Sequence, residues 1–177
     1  MTIRFADRHN DGTISDTAFD EIMLNQKRTL NFKELKYDVY LAAGFFNESK
    51  LKAHDMLQHL LEDELGLTVF VPKRDAPQIP ANPTQAQMDA NFNEDVKAIE
   101  QSLFMVASTE GLDSGTIWEA GYAYKAGVKT FGYAPLLPEG VKFNLMLANS
   151  MQEVFLNDED FLNYFKNGKL PAKVQAF

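Results

Sequence analysis

The sequence predicts an α/β fold: about five parallel strands in one sheet, with helices on both faces. Two observations carry this expectation. Short apolar runs, each closed by Gly, Pro, Ser or Asp, recur along the chain. Between them lie longer segments whose apolar residues recur at helical spacing. Parallel strands need a crossover connection, so strand and helix in alternation read as a doubly wound sheet of flavodoxin or Rossmann type. A chain of 177 residues is long enough for one such domain with a sizeable core.

Residues 1–36 are polar and read as an N-terminal extension of unknown role, ahead of a single α/β domain over 37–177. The run Asp7 to Gly12 looks superficially like a calcium loop. His9 and Ala18 stand where oxygen ligands belong, so it reads as a turn. Residues 17–26 suit a short helix with Phe19, Ile22 and Met23 on one face, either packed on the core or free as a partner-binding arm. The first strand covers 37–43 and ends at Gly44, where backbone can approach a ligand closely. Phe45 and Phe46 follow. A helix is expected over 49–65, stopped by Gly66, and a second strand over 67–71, closed by Pro72. Residues 73–83 read as a long loop, either a binding lid or a plain connection. Thr84 and Gln87 form a capping box for the next helix. On that helix Asp95 falls on the apolar side, where a carboxylate needs a partner or a pocket rim.

Leu103 to Ala107 reads as a buried strand, and residues 128–133 as the next one. Between them lies a helix read from Thr116 to near Gly127, with Asp113 just ahead of it and Glu119 in its first turn. In βαβ units, ligands bind at the carboxyl ends of the strands, where this loop and helix start fall. Two readings of Glu119 stand side by side. Thr116-x-x-Glu119 fits a capping box worth on the order of 1 kcal/mol. A nucleophilic carboxylate would also suit a helix start, whose dipole favours the ionised form. Further on, residues 141–150 suit a helix carrying Asn144 and Met146, residues 153–156 a fifth strand, and residues 158–165 a last short helix.

Composition narrows the function. A net charge of −8 argues against a nucleic-acid partner. The absence of cysteine excludes disulfides, thiolate zinc sites and cysteine nucleophiles. There is no His-Glu pattern of metal-ligand spacing, no G-x-G-x-x-G and no Walker loop, so neither metal nor cofactor is expected. No apolar run approaches spanning length, and the start lacks a signal-type apolar region. The expectation is a soluble cytoplasmic protein with no membrane partner.

Four segments together resemble the nucleoside 2-deoxyribosyltransferase family. They are Tyr40-Leu41-Ala42-Ala43-Gly44-Phe45-Phe46, Asn93-Glu94-Asp95, Asp113-Ser114-Gly115-Thr116 with Glu119-Ala120-Gly121-Tyr122-Ala123, and Asn144-Leu145-Met146. The resemblance implies cleavage of the N-glycosidic bond of 2′-deoxynucleosides, in nucleotide salvage, with 2-deoxyribose passed to a free nucleobase. By that similarity Glu119 attacks the anomeric carbon and forms a covalent deoxyribosyl-enzyme, with Tyr40 orienting it. Asp113 and Asp95 hold the departing base and handle its proton. Gly44, Phe45, Gly115, Asn144 and Met146 bind substrate, and Asn144 serves a neighbouring subunit's site in a homo-oligomer. Phe177 stands where the family often has a tyrosine, and it carries no hydroxyl. The alternatives are a deoxynucleoside 5′-monophosphate glycosidase of the same fold and a non-catalytic nucleoside or nucleotide sensor. The joint presence of Tyr40, Asp95, Asp113 and Glu119 favours an enzyme.

Overall fold

The computed structural model describes residues 12–24, 27–138 and 140–170. Five strands form one sheet: β1 (Tyr37–Ala42), β2 (Val69–Phe70), β3 (Ser102–Ser108), β4 (Lys129–Tyr133) and β5 (Val154–Phe155). Their order is β2-β1-β3-β4-β5, and every pairing is parallel. This is the flavodoxin-like doubly wound order, whose direction of winding reverses between β1 and β3.

Seven α-helices accompany the strands among the described residues: α1 (Asp16–Met23), α2 (Glu48–His59), α3 (Pro72–Asp75), α4 (Gln85–Glu100), α5 (Ser114–Ala126), α6 (Leu145–Ser150) and α7 (Asp158–Asn167), with a π-helical turn at Leu60–Glu64 after α2 and a 3-10 turn at Glu110–Leu112 before α5. The two-residue period of the strands sorts them into layers. Val39, Leu41, Phe104, Val106 and Phe131 face α1, α2 and α7, in a core filled by Leu57, Leu61, Phe155, Phe161 and Phe165. Tyr40, Ala42, Phe70, Met105 and Ala107 face the other way, onto Ile99 of α4 and Ala120 and Ala123 of α5. The first face is packed with large rings. The second is lined by small residues that let two helices come close to the sheet. Tyr40 is thereby delivered to the side where α4 and α5 sit.

The expected helix start at Thr116 is corrected: α5 begins at Ser114 with Asp113 as its N-cap, accepting from Thr116 N. Its end matches the sequence reading, because Gly127 takes φ +80° in the left-handed region that favours glycine. The Thr84–Gln87 capping box is present with both hydrogen bonds. The expected loop at 73–83 begins later than read. Pro72 stands at the first position of a one-turn helix, where its missing N–H costs nothing. The helix expected from Val141 starts at Leu145, with Asn144 as its N-cap.

Of the two readings for the 17–26 helix, packing on the core is the observed one. Ile14, Ala18 and Ile22 are fully buried in the first layer, and Ser15 Oγ donates to Tyr164 O of α7 at 3.3 Å. Of the turn read over Asp7 to Gly12, residues 7–11 lie outside the described residues, as does Phe177. Among the described residues no helix is long and apolar enough to cross a membrane.

Candidate active site

At the carboxyl edge of the sheet, between β1 and β3, lies a cleft of about 180 Å³. Its walls include Phe45, Asp95, Asp113, Gly115 and Glu119. Tyr40 reaches it through Glu119, to which its hydroxyl is bonded. Four segments far apart in sequence supply these groups: the end of β1, the middle of α4, the loop after β3 and the second turn of α5.

Tyr40 is fully buried and stacks on Phe70 at 5.5 Å between ring centroids. Such an aromatic pair contributes about 0.5–1.5 kcal/mol beyond its burial and holds the phenol in one place. The hydroxyl donates to Glu119 Oε1 at 2.6 Å. Burial, then the charges of Glu119 and Asp95, raises the phenol far above its ordinary value, so it stays protonated and remains the donor.

Glu119 therefore has no part in capping α5. It lies one turn past the helix start, beyond the reach of the free N–H groups, and Asp113 already occupies the cap. The expectation that a helix end would hold it ionised is overturned. Burial, helped by the charges of Asp95 and Asp113, pushes its carboxyl up to about 7, against the opposing pull of the Tyr40 hydrogen bond. Across the cleft, burial and the neighbouring Glu94 push Asp95 up to about 6. Its Oδ1 is buried without a hydrogen-bond partner among the described residues. Asp113 is the reverse case. Burial alone would raise it, but hydrogen bonds from Lys50 and from Thr116 N–H, with the Lys50 charge, hold it below the usual carboxylate value.

These shifts make stability depend on pH. Glu119 binds its proton more tightly in the folded chain, at about 7 against an ordinary 4.5. Its contribution is full at low pH and is lost as pH rises through that window. Glu119→Gln mimics the protonated form permanently. The variant is expected to exceed wild type in urea-unfolding stability by on the order of 2 kcal/mol at pH 8, with the difference closing near pH 4. A gap independent of pH would contradict the buried, raised carboxyl.

Gly44 is where close approach requires glycine. A Cβ there would lie 2.9 Å from Asp113 Cγ and Oδ1 and 3.0 Å from Lys50 Cδ. Gly→Ala in a tolerant site stabilises by about 0.4–1 kcal/mol. Here Gly44→Ala is expected to destabilise by roughly 1–3 kcal/mol, because both neighbours must move. It should also raise KM about tenfold by displacing Asp113. Urea titration and an initial-rate assay check both halves.

The structure brings Tyr40, Phe45, Asp95, Asp113, Gly115 and Glu119 to one cleft, with Gly44 directly behind Asp113. It does not bring Asn144 or Met146 there within a single chain. The Asn144 carboxamide accepts from Met146 N and Leu147 N, and the residue borders a separate hollow with Thr109 and Phe143. Met146 is 77% exposed and lines an apolar groove with Ile117, Gly121 and Tyr124. Two site groups escaped the sequence reading. Asn91 lines the cleft one helical turn before Asp95, and the Lys50 ammonium lies 3.0 Å from Asp113 Oδ1. A lysine in the first turn of α2 carries no signal of a partner 63 residues away.

A buried phenol bonded to a carboxylate, with further carboxyls beside it, thus lies at the switch point of a 2-1-3-4-5 doubly wound α/β sheet. The chain belongs to the nucleoside 2-deoxyribosyltransferase family, whose model matches residues 39–149. Among solved structures, a 2-deoxyribosyltransferase from Bacillus psychrosaccharolyticus is similar at 28% identity and a TM-score of 0.64. The match covers 77% of this chain and 97% of that one. A conserved protein from Enterococcus faecalis V583 shares the fold at 18% identity and a TM-score of 0.56, over 71% of this chain and 94% of its own. No curated protein sequence matches.

Proposed function

We propose that this protein transfers 2-deoxyribose between nucleobases through a covalent intermediate on Glu119. The observation that carries the reading is the 2.6 Å bond from Tyr40 to Glu119 Oε1, which leaves the other carboxylate oxygen free in the cleft that Asp95 also lines. In the first step a Glu119 oxygen forms a bond to C1′ of the deoxynucleoside. The C1′–N bond breaks, its electron pair goes to the base, and the Asp95 proton joins the base nitrogen. In the second step an acceptor base attacks C1′. The ester bond to Glu119 breaks, and the proton lost by the incoming base returns to Asp95. A base leaves poorly as an anion, so this proton transfer supplies about 10²–10⁴ in rate. A covalent intermediate divides one hard displacement into two easier ones.

With Glu119 at about 7 and Asp95 at about 6, the pair shares one proton near neutral pH. The resting proton sits on Glu119 before Asp95, so the reaction runs through the less populated arrangement, with Glu119 ionised and Asp95 protonated. The productive arrangement has it on Asp95, and the Tyr40 hydrogen bond favours the ionised Glu119. Asp113, held ionised, accepts N–H groups of the base. Phe45 and Gly115 wall the base pocket.

The site is completed by a second copy of the chain in a homo-oligomer. Pockets that take small molecules run to about 300–1,000 Å³, and the single-chain cleft falls short of this. Asn144 and Met146 are exposed on the single chain and are the groups proposed to reach a neighbour's sugar site. The exposed rings of Phe92 and Trp118, 5.2 Å apart, add an apolar patch on the same α4–α5 side.

Incubation with deoxyinosine, with and without adenine, tests the reading. Deoxyadenosine formation requires both bases and marks a transferase. Free deoxyribose without acceptor marks a glycosidase, and unchanged deoxyinosine marks a sensor.

A further inference from the structure

Lys50 has no role in the scheme above, yet its surroundings are built around it. Asn47 caps α2 by accepting from Lys50 N at 2.9 Å, which fixes the lysine in the first turn. From there its stem runs between two glycines. A Cβ on Gly44 would lie 3.0 Å from Lys50 Cδ, and one on Gly111 would lie 3.1 Å from Lys50 Cε. The ammonium ends 3.0 Å from Asp113 Oδ1, and the two side chains are only 19% and 12% exposed. Oδ2 of the same carboxylate takes Thr116 N at 3.1 Å and Thr116 Oγ1 at 3.3 Å. Asp113 is thus gripped from α2 on one oxygen and from its own helix on the other. Asp113 lines the cleft, whereas Lys50 stands behind it.

We infer that Lys50 is a positioning residue: by gripping Asp113 from behind, it fixes that carboxylate in the cleft and leaves Asp95 to carry the transferable proton. The inference rests on the deoxyribosyl-transfer reading and extends it. Three carboxyls, Asp95 from α4 and Asp113 and Glu119 from α5 and its cap, share one small cleft. Closely spaced carboxyls compete for a proton, and the one beside a cation takes it last. Among the described residues Lys50 pairs with Asp113, Asp95 has no cationic partner, and the Asp95 Oδ1 has no hydrogen-bond donor. Without the lysine charge, burial is the main remaining influence on Asp113, and burial favours its neutral form. Asp113 would then draw protons needed at Asp95 and lose its grip on base N–H groups.

The test is Lys50→Met, which keeps the stem and removes the charge, with Lys50→Arg as the charge-preserving control. Carbon-13 NMR of aspartate carboxyls reads protonation of Asp113 directly, whichever reaction the cleft performs. In wild type Asp113 is expected to titrate below the usual carboxylate range. In Lys50→Met its midpoint should rise by at least one pH unit, and in Lys50→Arg it should stay low. Kinetically, Lys50→Met is expected to raise KM for deoxyinosine about tenfold one pH unit below the raised Asp113 midpoint, with recovery toward wild type above that midpoint, where Asp113 is ionised again. If Lys50→Met does not fold, Lys50→Gln carries the same measurements. An unchanged Asp113 titration in the charge-removed variant overturns the inference. So does an activity loss that is equal at all pH and parallels lost stability. A wild type that transfers nothing while the Asp113 titration still responds to Lys50 places the failure in the deoxyribosyl reading.

Discussion

Glu119→Gln is expected to fold as wild type and to transfer deoxyribose several orders of magnitude more slowly. The amide keeps the shape of the side chain and can still accept from the Tyr40 hydroxyl, but it is a poor nucleophile. Because Asp113 caps α5, the substitution costs the helix no cap. Loss of turnover cannot then be assigned to a frayed helix. Mass spectrometry of wild type with a 2-fluoro-substituted deoxynucleoside should show a sugar-sized mass increase on the peptide containing Glu119. The Gln variant should show none. An adduct on Asp95 or Asp113 instead, or near-normal transfer by Glu119→Gln, would move the nucleophile to another carboxyl.

The second large effect is expected at Asp95. Asp95→Asn should lower transfer from deoxyinosine by about 10²–10⁴, the usual worth of protonating a poor leaving group. With 7-methyl-2′-deoxyguanosine the base already carries a positive charge and departs neutral, so the same variant should work at nearly the wild-type rate. Asp113→Asn is expected to behave differently, because its carboxylate is held ionised and has no proton to give. Its loss should fall mainly on KM and be similar for both substrates. If Asp95→Asn is equally slow with both nucleosides, Asp95 does not supply the proton.

Much of this architecture can be read from the sequence because the signals are local. Gly127 stops α5 through its own backbone freedom, and Thr84 and Gln87 satisfy each other three residues apart. Strand periodicity already separates Tyr40 from Val39 and Leu41. The misreadings arise where two local signals compete. Thr116 and Glu119 match a capping box, yet Asp113 stands three residues earlier and is the stronger cap. Taking the cap there moves Glu119 into the second turn, away from the helix end and toward Tyr40. Pro72 reads as the stop of a strand, and it is also a good first residue of a helix. Lys50 could not be read at all, since an exposed-type residue in a first helical turn gives no hint of a distant carboxylate. Asp95 lay between these cases. Its place on the apolar side marked it as unusual, but only the fold reveals that its Oδ1 has no partner.

The hydrogen bond between Tyr40 and Glu119 spans 79 residues. It exists only once β1 has found β3 and α5 has docked on the same face, so no early, locally folded piece of the chain contains a working site. Loop closure over such distances makes parallel pairing slow compared with helix formation. During refolding, helical signal is therefore expected well before catalytic competence, and the nascent chain is inert until residues beyond α5 have left the ribosome. The Tyr40–Glu119 pair is a late-arriving property of the assembled sheet.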